Sequence, residues 1–431
     1  MAILRRDPKS KASRKVSIAS LIGTTIEWYD FYLFGTASAL FFNTLFFPKI
    51  SPVAGIMAAY AAYAVGFFAR PLGGLIFGHF GDRISRKNML IITLSLMGAS
   101  TFMIGLLPTY STIGIFAPVL LVILRCIQGI AVGGEWAGAV VMSAEVSREK
   151  ERGFYSSWPN AGAPFGLVIS IAVFLIFSSL PREQFLAWGW RIPFLLSFVL
   201  VLVGLYIRLQ IMESKVFVEA SKNKRPPKVP ALEMLRSHFK NFMLAIGARL
   251  IESSSFYILT VFILSYGTYN LHLSKTLLLY AVMLGSIFEM LLIPYFGMVS
   301  DLIGRRPVYI CGALLMGLFA FPFFWMLQSK SPHLIFFAVI LGMCGPHAMM
   351  HGAQAAFYSE LFKTRIRYSG TAIAYHLSAA LSGGLTPLIA TGLVEWAHDH
   401  TWPVSVYLII LAVITIISVY LAAEKAQKNI S

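Results

Sequence analysis

Two stretches of the 431-residue chain decide how it is read: "GHFGDRISRK" at residues 78–87 and "GMVSDLIGRR" at 297–306. Both carry Gly-x3-Asp-x3-Arg, as Gly78, Asp82 and Arg86 and again as Gly297, Asp301 and Arg305, and the two aspartates stand 219 residues apart. A second pair of motifs keeps nearly the same period. "EVSREKER" and "ELFKTRIR" both read Glu-x6-Arg, from Glu145 to Arg152 and from Glu360 to Arg367, 215 residues apart. Two independent motifs repeating at about half the chain length mark a duplicated unit.

What lies between the motifs is apolar. Hydrophobic residues make up 57% of the chain and charged ones 13%, against roughly 45–50% and 25% in soluble domains. A chain this poor in polar surface is solvated by lipid, where apolar stretches of about 20 residues cross as helices. Such stretches recur at 17–43, 54–79, 89–107, 113–143, 152–178, 190–210, 241–269, 275–299, 307–327, 333–359, 368–396 and 403–423. The expected fold is an all-α membrane protein with about twelve transmembrane helices in two pseudo-symmetric six-helix bundles. The basic start, "MAILRRDPKSKASRK", leads into a long apolar segment without a small-residue cleavage site, so it reads as a retained first helix. The three cysteines, Cys126, Cys311 and Cys344, all fall inside helices, which argues against a disulfide framework.

The formal charge of +16 raises the question of nucleic acid, and its placement answers it. Of 35 Lys and Arg, 27 fall in the termini, in alternate loops or at their helix edges, and four (Lys49, Arg182, Lys275, Lys330) on the other side. This asymmetry places both termini in the cytoplasm and excludes a nucleic-acid partner. The polar, basic segment 213–240 with Pro226 and Pro227 reads as a cytoplasmic linker between halves 1–212 and 241–431.

The other four arginines, Arg70, Arg125, Arg191 and Arg249, lie inside the spans or at their edges. "TTIEWYDFYLFG", residues 24–35, adds Glu27 and Asp30 to the membrane interior. Three residues apart, they share one helix face, and burial there costs about 2.5–3.5 kcal/mol per charge on insertion scales. Arg249 and Glu252 repeat the spacing, and the 219-residue offset maps Asp30 onto Arg249. The acids are therefore expected to line a central polar cavity; the competing reading is a set of fixed ion pairs. Arg191, beside "WGW", reads as an interfacial anchor, and Glu289 aligns with Arg70 by the same offset. Gly129-x3-Gly133 and Gly134-x3-Gly138 suit close helix packing. His347 and His351 have a zinc-capable i, i+4 spacing, but Ala348 stands where H-E-x-x-H has Glu. Cavity lining, with His376 as a neighbour, is expected there and no metal.

Two six-helix halves with a Gly-Asp-Arg loop after the second and eighth helices resemble the major facilitator superfamily. "EWYDF" (27–31), "RPLGG" (70–74), "RCIQGIAVGGEW" (125–136) and "WGWRIPF" (188–194) are similar to its metabolite:proton symporter family, which includes proline/betaine, α-ketoglutarate and shikimate transporters. "ARLIESSSFYILTVF" (248–262), "AFPFF" (320–324) and "RYSGTAIAYHLSAALSGGLTP" (367–387) most resemble the shikimate-transporting subgroup. Two features depart from the pattern: Ser85 stands where the loop usually has Gly, and the chain lacks the long C-terminal coiled-coil extension of the proline/betaine transporter.

The resemblance implies a proton-coupled symporter of the inner membrane that imports a small organic acid such as shikimate by alternating access. It is expected to work as a monomer, with the proton as coupling ion and no other cofactor. The proton would ride on Glu27, Asp30, Glu135 or Glu252, and the substrate would meet Arg70, Arg125 or Arg249, with Trp28, Tyr257, Tyr375 and His376 around it. Guanidinium is the permanently charged fork that suits a carboxylate. The repeated loops are expected to hold the cytoplasmic gate: Asp82 and Asp301 accepting from helix N-terminal amides, Arg83, Arg86, Arg305 and Arg306 pairing with Glu145 and Glu360, and Arg152 and Arg367 completing the repeated motif. Uptake of proline or betaine, or metabolite export, are the alternatives. A primary pump would need a phosphate-binding G-x-x-x-x-G-K-[ST], which is absent, and no nucleophile or metal constellation suggests an enzyme.

Overall fold

The computed structural model describes residues 8–81, 86–133, 135–210, 239–362 and 367–424. They form α1 (Pro8–Leu40), α2 (Pro52–Gly81), α3 (Arg86–Leu106), α4 (Phe116–Val146), α5 (Glu149–Ser178), α6 (Arg182–Tyr206), α7 (Phe239–Asn270), α8 (Lys275–Ile303), α9 (Arg305–Gln328), α10 (Pro332–Leu361), α11 (Gly370–Trp396) and α12 (Trp402–Leu421). Ten of these are long and apolar enough to cross a membrane, and α3 is apolar over Ile91–Leu106. α1 starts in the basic N-terminal segment, which dilutes its hydropathy. No strand occurs among the described residues. The twelve-helix architecture is the one expected; the linker at 213–240 lies outside the described residues apart from its last two positions.

Helix boundaries differ from the hydropathy reading where the chain leaves α geometry. α6 begins at Arg182 rather than near 190, because a π turn over Phe185–Gly189 carries the helix through a more polar segment. α7 contains π turns at Ile258–Phe262 and Tyr266–Asn270, α10 one at Met343–His347, and α11 one at Ala380–Gly384. In α10 the wide turn contains Pro346, whose ring would otherwise clash with the carbonyl four residues back.

Within the halves α1 lies along α5, α2 along α4, and both α7 and α9 along α12. Across the seam α5 packs on α8 and α2 on α11, contacts that exchange under the internal repeat. The small residues of α4 allow its approach to α2: a Cβ on Gly129 would stand 2.1 Å from the Gly66 carbonyl oxygen, and one on Gly133 2.0 Å from that of Arg70. Packing, the reading made for these glycines, is what they do.

Both ends of the described chain sit at one end of the bundle. Ser13 and Ser17 of α1 donate to the carbonyls of Val146 and Tyr155, and the Arg306 amide donates to Glu424. At the opposite end the halves are latched by the Tyr60 hydroxyl donating to Ser265 Oγ at 2.7 Å, the Tyr269 hydroxyl to the Leu40 carbonyl at 3.0 Å, and Lys275 Nζ to the same carbonyl at 3.2 Å. The seam is bridged at the terminus end as well, as described next, so the arrangement is occluded.

Candidate functional site

The site begins with spacing on α1 and α2. Trp28 and Phe31 are i, i+3 on α1, and Phe67 and Arg70 are i, i+3 on α2, so each pair shares a face. The Arg70 guanidinium carbon lies 4.0 Å from the Phe31 ring centroid, 4.7 Å from that of Phe67 and 5.2 Å from that of Trp28. The residue is 1% exposed, and none of its three guanidinium nitrogens has a hydrogen-bond partner. Cation–π contact holds the charge in place without consuming its N–H groups. From the second half Tyr257 packs on Phe67 at 5.4 Å, and His376 and Tyr375 of α11 lie within the field of Arg70.

Arg125 of α4 shares the Phe31 ring at 4.0 Å and also faces Phe34 and Tyr63. Its Nη1 donates to Gln128, whose Nε2 donates to Thr101 at 2.9 Å, while Nε and Nη2 have no partner. Asp30 faces Thr101 and Arg125. Glycine at position 66 makes room for this guanidinium, since a Cβ there would stand 2.5 Å from Arg125 Nε. Glu27 and Glu135 are buried too and have interaction partners; Glu135 sits at the break in α4 after Val132.

In the second half Arg249 Nε lies 3.2 Å from Glu252 Oε2, Nη1 donates to the Tyr375 carbonyl at 2.8 Å, and the guanidinium sits 3.4 Å over the Tyr375 ring. Arg249 and Glu252, which repeat the spacing of Glu27 and Asp30, thus form an ion pair within one helix. Arg249 is balanced inside its own half, because an i, i+3 neighbour on the same helix reaches it before anything across the seam. Tyr375 is also stacked on Trp136 of the first half at 3.4 Å. The structure thus brings Trp28, Arg70, Arg125, Tyr257, Tyr375 and His376 to the seam, with all three guanidinium nitrogens of Arg70 left without a hydrogen-bond partner.

The donor atoms of Glu252, His347 and His351 lie within 4.8 Å of one another, a spacing a cation could bridge. Those donors are already taken: Glu252 Oε2 carries Arg249 and accepts from Gln354 at 2.9 Å, and His347 Nδ1 meets Glu289. A guanidinium on the same carboxylate opposes a dication.

At the terminus end Asp301 accepts from the Gly153 amide at 2.8 Å and the Phe154 amide at 2.9 Å, at the start of the helical segment Arg152–Ser156. This is the anion at a helix N-terminus that the repeated loop led us to expect. Arg305 binds Asp301 at 2.8 Å and Glu360 at 3.2 Å, and Glu360 also takes Arg152 across the seam at 3.0 Å. Gly297 faces Gly153 so closely that a Cβ on it would stand 2.6 Å from the Gly153 carbonyl oxygen. Arg306 departs from the expected pairing with Glu145 or Glu360: its guanidinium donates to the Tyr420 carbonyl, because α12 covers that face of α9. Glu145 is exposed and has an interaction partner. Asp82 and Arg83 lie outside the described residues, as do the surroundings of Gly78 and the side chains of Arg86 and Arg367. Arg191 donates to the Gly105 carbonyl at 2.9 Å, tying α6 to the end of α3 as an anchor.

Sequence reasoning missed the Tyr60 and Tyr269 latch, the Trp136–Tyr375 stack and the Glu289–His347 contact. Asn160, a polar residue in apolar α5, was the available signal for a cross-seam contact: its Nδ2 donates to the His351 carbonyl at 2.8 Å.

The chain is a multi-pass membrane protein and belongs to the major facilitator superfamily, a family of transporters. Residues 15–228 match the family described as sugar (and other) transporter, and residues 245–430 match the major facilitator superfamily. The chain is similar to the shikimate transporter of Escherichia coli K12, 43% identical over 92% of this chain and 91% of that one. It is similar also to the proline/betaine transporter of the same organism, at 37% over 96% and 84%. Among solved structures, the proton:xylose symporter XylE bound to 6-bromo-6-deoxy-D-glucose superposes with a TM-score of 0.74 at 18% identity, over 98% of each chain. That likeness is one of fold.

Proposed function

We propose that the protein is a proton-coupled symporter that imports a small organic acid, shikimate or a related carboxylate, by alternating access. The observation that carries this reading is Arg70: a buried guanidinium at the seam, gripped by three rings, with every N–H group unpaired. A carboxylate answers both needs, since it supplies the counter-charge and can accept two N–H bonds. His376, which lies in the field of both Arg70 and Arg249, stands where further polar groups of such a ligand would fall. A quaternary ammonium ligand fits less well, because the aromatic cage it would use is already filled by Arg70.

In this reading Asp30 carries the coupling proton, with Glu27, Glu135 and Glu252 as the other candidate carriers. The Asp301–Arg305–Glu360–Arg152 network is the cytoplasmic gate, both termini face the cytoplasm, and the protein works as a monomer in the inner membrane. The two halves rock about the seam. The 43% identity to a shikimate transporter supports the substrate class.

The test is uptake into proteoliposomes with an imposed pH gradient, offering shikimate, α-ketoglutarate, citrate, proline and betaine separately. Accumulation of a carboxylate that collapses with the gradient is the expected result. Accumulation of proline or betaine alone, or transport indifferent to the gradient, would overturn the reading.

A further inference from the structure

The second half holds a cluster that the substrate site does not use. Glu289 of α8 is fully buried, and its Oε1 is in direct contact with His347 Nδ1 of α10. His347 Nε2 lies 3.4 Å from Glu252 Oε1, and His351 Nδ1 lies 2.7 Å from the same oxygen. Two carboxylates and two imidazoles therefore form one chain inside the bundle.

We infer that the Glu289–His347 pair is a second proton-loading site of the transport cycle, in the half that does not contain Asp30. The inference rests on the proton-coupled reading above and adds to it a carrier that the substrate does not touch.

Charge counting shows what the pair can do. Arg249 and Glu252 neutralise each other at 3.2 Å, which leaves Glu289 and His347 to balance between themselves. With one proton on it the pair is neutral; without it the pair holds one uncompensated negative charge. An unpaired charge in a dry interior is strongly disfavoured. The loaded pair thus suits the occluded arrangement seen here, and the unloaded pair needs water, which enters when the halves part. Loading forms one N–H bond on the imidazole with a proton from the aqueous face the cavity opens to. Unloading breaks it and returns the proton to the other face, with no redox change.

The surrounding groups leave this balance intact. From α9 the Tyr309 hydroxyl accepts from Gln354, which also donates to Glu252. On α10 Cys344, and from α1 Tyr32, lie in the field of Glu289. α5 contributes the neutral Asn160.

The pair is also wired to the seam. The Phe256 ring lies 5.0 Å from that of His347 and 5.5 Å from that of Tyr32 in the first half. The His351 carbonyl accepts from Asn160, which accepts from Trp136 Nε1 at 3.0 Å, and Trp136 stacks on Tyr375 beneath Arg249. Parting the halves therefore pulls on the helix that carries both histidines.

The test uses the full chain in proteoliposomes with shikimate as probe and a pH difference of two units. The variant is the double Glu289→Gln/His347→Gln, which keeps a neutral hydrogen-bonding pair and leaves no stranded charge. Wild type is expected to accumulate shikimate, up to about 100-fold per coupled proton at this gradient. The double variant is expected to lose at least tenfold of that accumulation while still exchanging labelled for unlabelled shikimate. Full accumulation by the double variant would overturn the inference and leave the symport reading standing. Absence of gradient-driven accumulation in wild type would overturn the symport reading itself. A second measurement covers a variant that fails to fold: isotope-edited infrared spectra of histidine-labelled wild type on adding shikimate. A change in imidazole protonation is expected, and unchanged imidazole bands would overturn the inference.

Discussion

Replacing Gly297 by Ala should unlatch the terminus end of the seam. The added Cβ would stand 2.6 Å from both the Gly153 carbonyl oxygen and Ser157 Oγ, where backbone and a buried side chain leave no slack. To regain ordinary contact the helices must separate by roughly 0.5–1 Å. That movement stretches the two amide bonds to Asp301, now 2.8 and 2.9 Å, toward the limit of hydrogen bonding. Overpacking costs about 1–3 kcal/mol, and bonds to a charged acceptor are worth about 1.5–3 kcal/mol each when lost outright. Partial loss puts the penalty near 2 kcal/mol, or about a 30-fold shift toward the state open at that end. The assay is maleimide labelling of Ala161→Cys, a position buried between α5 and the second half beside Ile293 and Ala348, in a background with Cys126, Cys311 and Cys344 replaced. Labelling should accelerate by about 30-fold on adding Gly297→Ala. A monodisperse variant that labels at the parental rate would refute the idea that this helix crossing sets the gate.

Other expectations bear on the charges. Arg70→Lys should weaken shikimate binding by about 10- to 100-fold, since a point charge replaces an unpaired fork; unchanged affinity in a binding titration would move the anion to Arg125 or Arg249. Asp30→Asn should reduce gradient-driven accumulation to near equality while exchange persists, and concentrative uptake by that variant would remove Asp30 from the proton path. Glu360→Gln leaves Arg152 and Arg305 short of a counter-charge, and loss of a buried pair costs about 3–5 kcal/mol. Its closed state should melt earlier and label faster at Ala161→Cys, whereas unchanged melting and labelling would show the network to be passive.

The fold was legible because lipid forces long apolar segments and the duplicated motifs gave the period independently. The Asp301 contact was legible for a similar reason: a buried anion beside a chain reversal needs amides, and a helix start offers them. The partner of Arg152 was not. The motif runs from Glu145 to Arg152 in one repeat and from Glu360 to Arg367 in the other, yet Arg152 takes Glu360 from the opposite repeat. Such an exchange appears only when the halves are docked. Glu289 illustrates a second limit. Its alignment with Arg70 was readable, but its contact with His347 depends on the rotation of α10, which the wide turn at Met343–His347 sets and hydropathy does not report. The partner of Arg249 was legible, since Glu252 stands three residues on, on the same helix face.

The π turns in α7, α10 and α11 have a consequence for how this chain tolerates insertion and deletion. Each holds one residue more than an α-helix needs, so removing one from Met343–His347 would leave a regular helix of nearly the same length. The residues on either side of the excision would keep their faces, because the five residues of a π turn sweep nearly the same angle as four of an α-helix. A single codon lost here is absorbed by the wide turn, whereas one lost from Ala348–Met350 just beyond it would swing His351 by about 100° away from Glu252 while leaving the apolar profile of the span almost untouched.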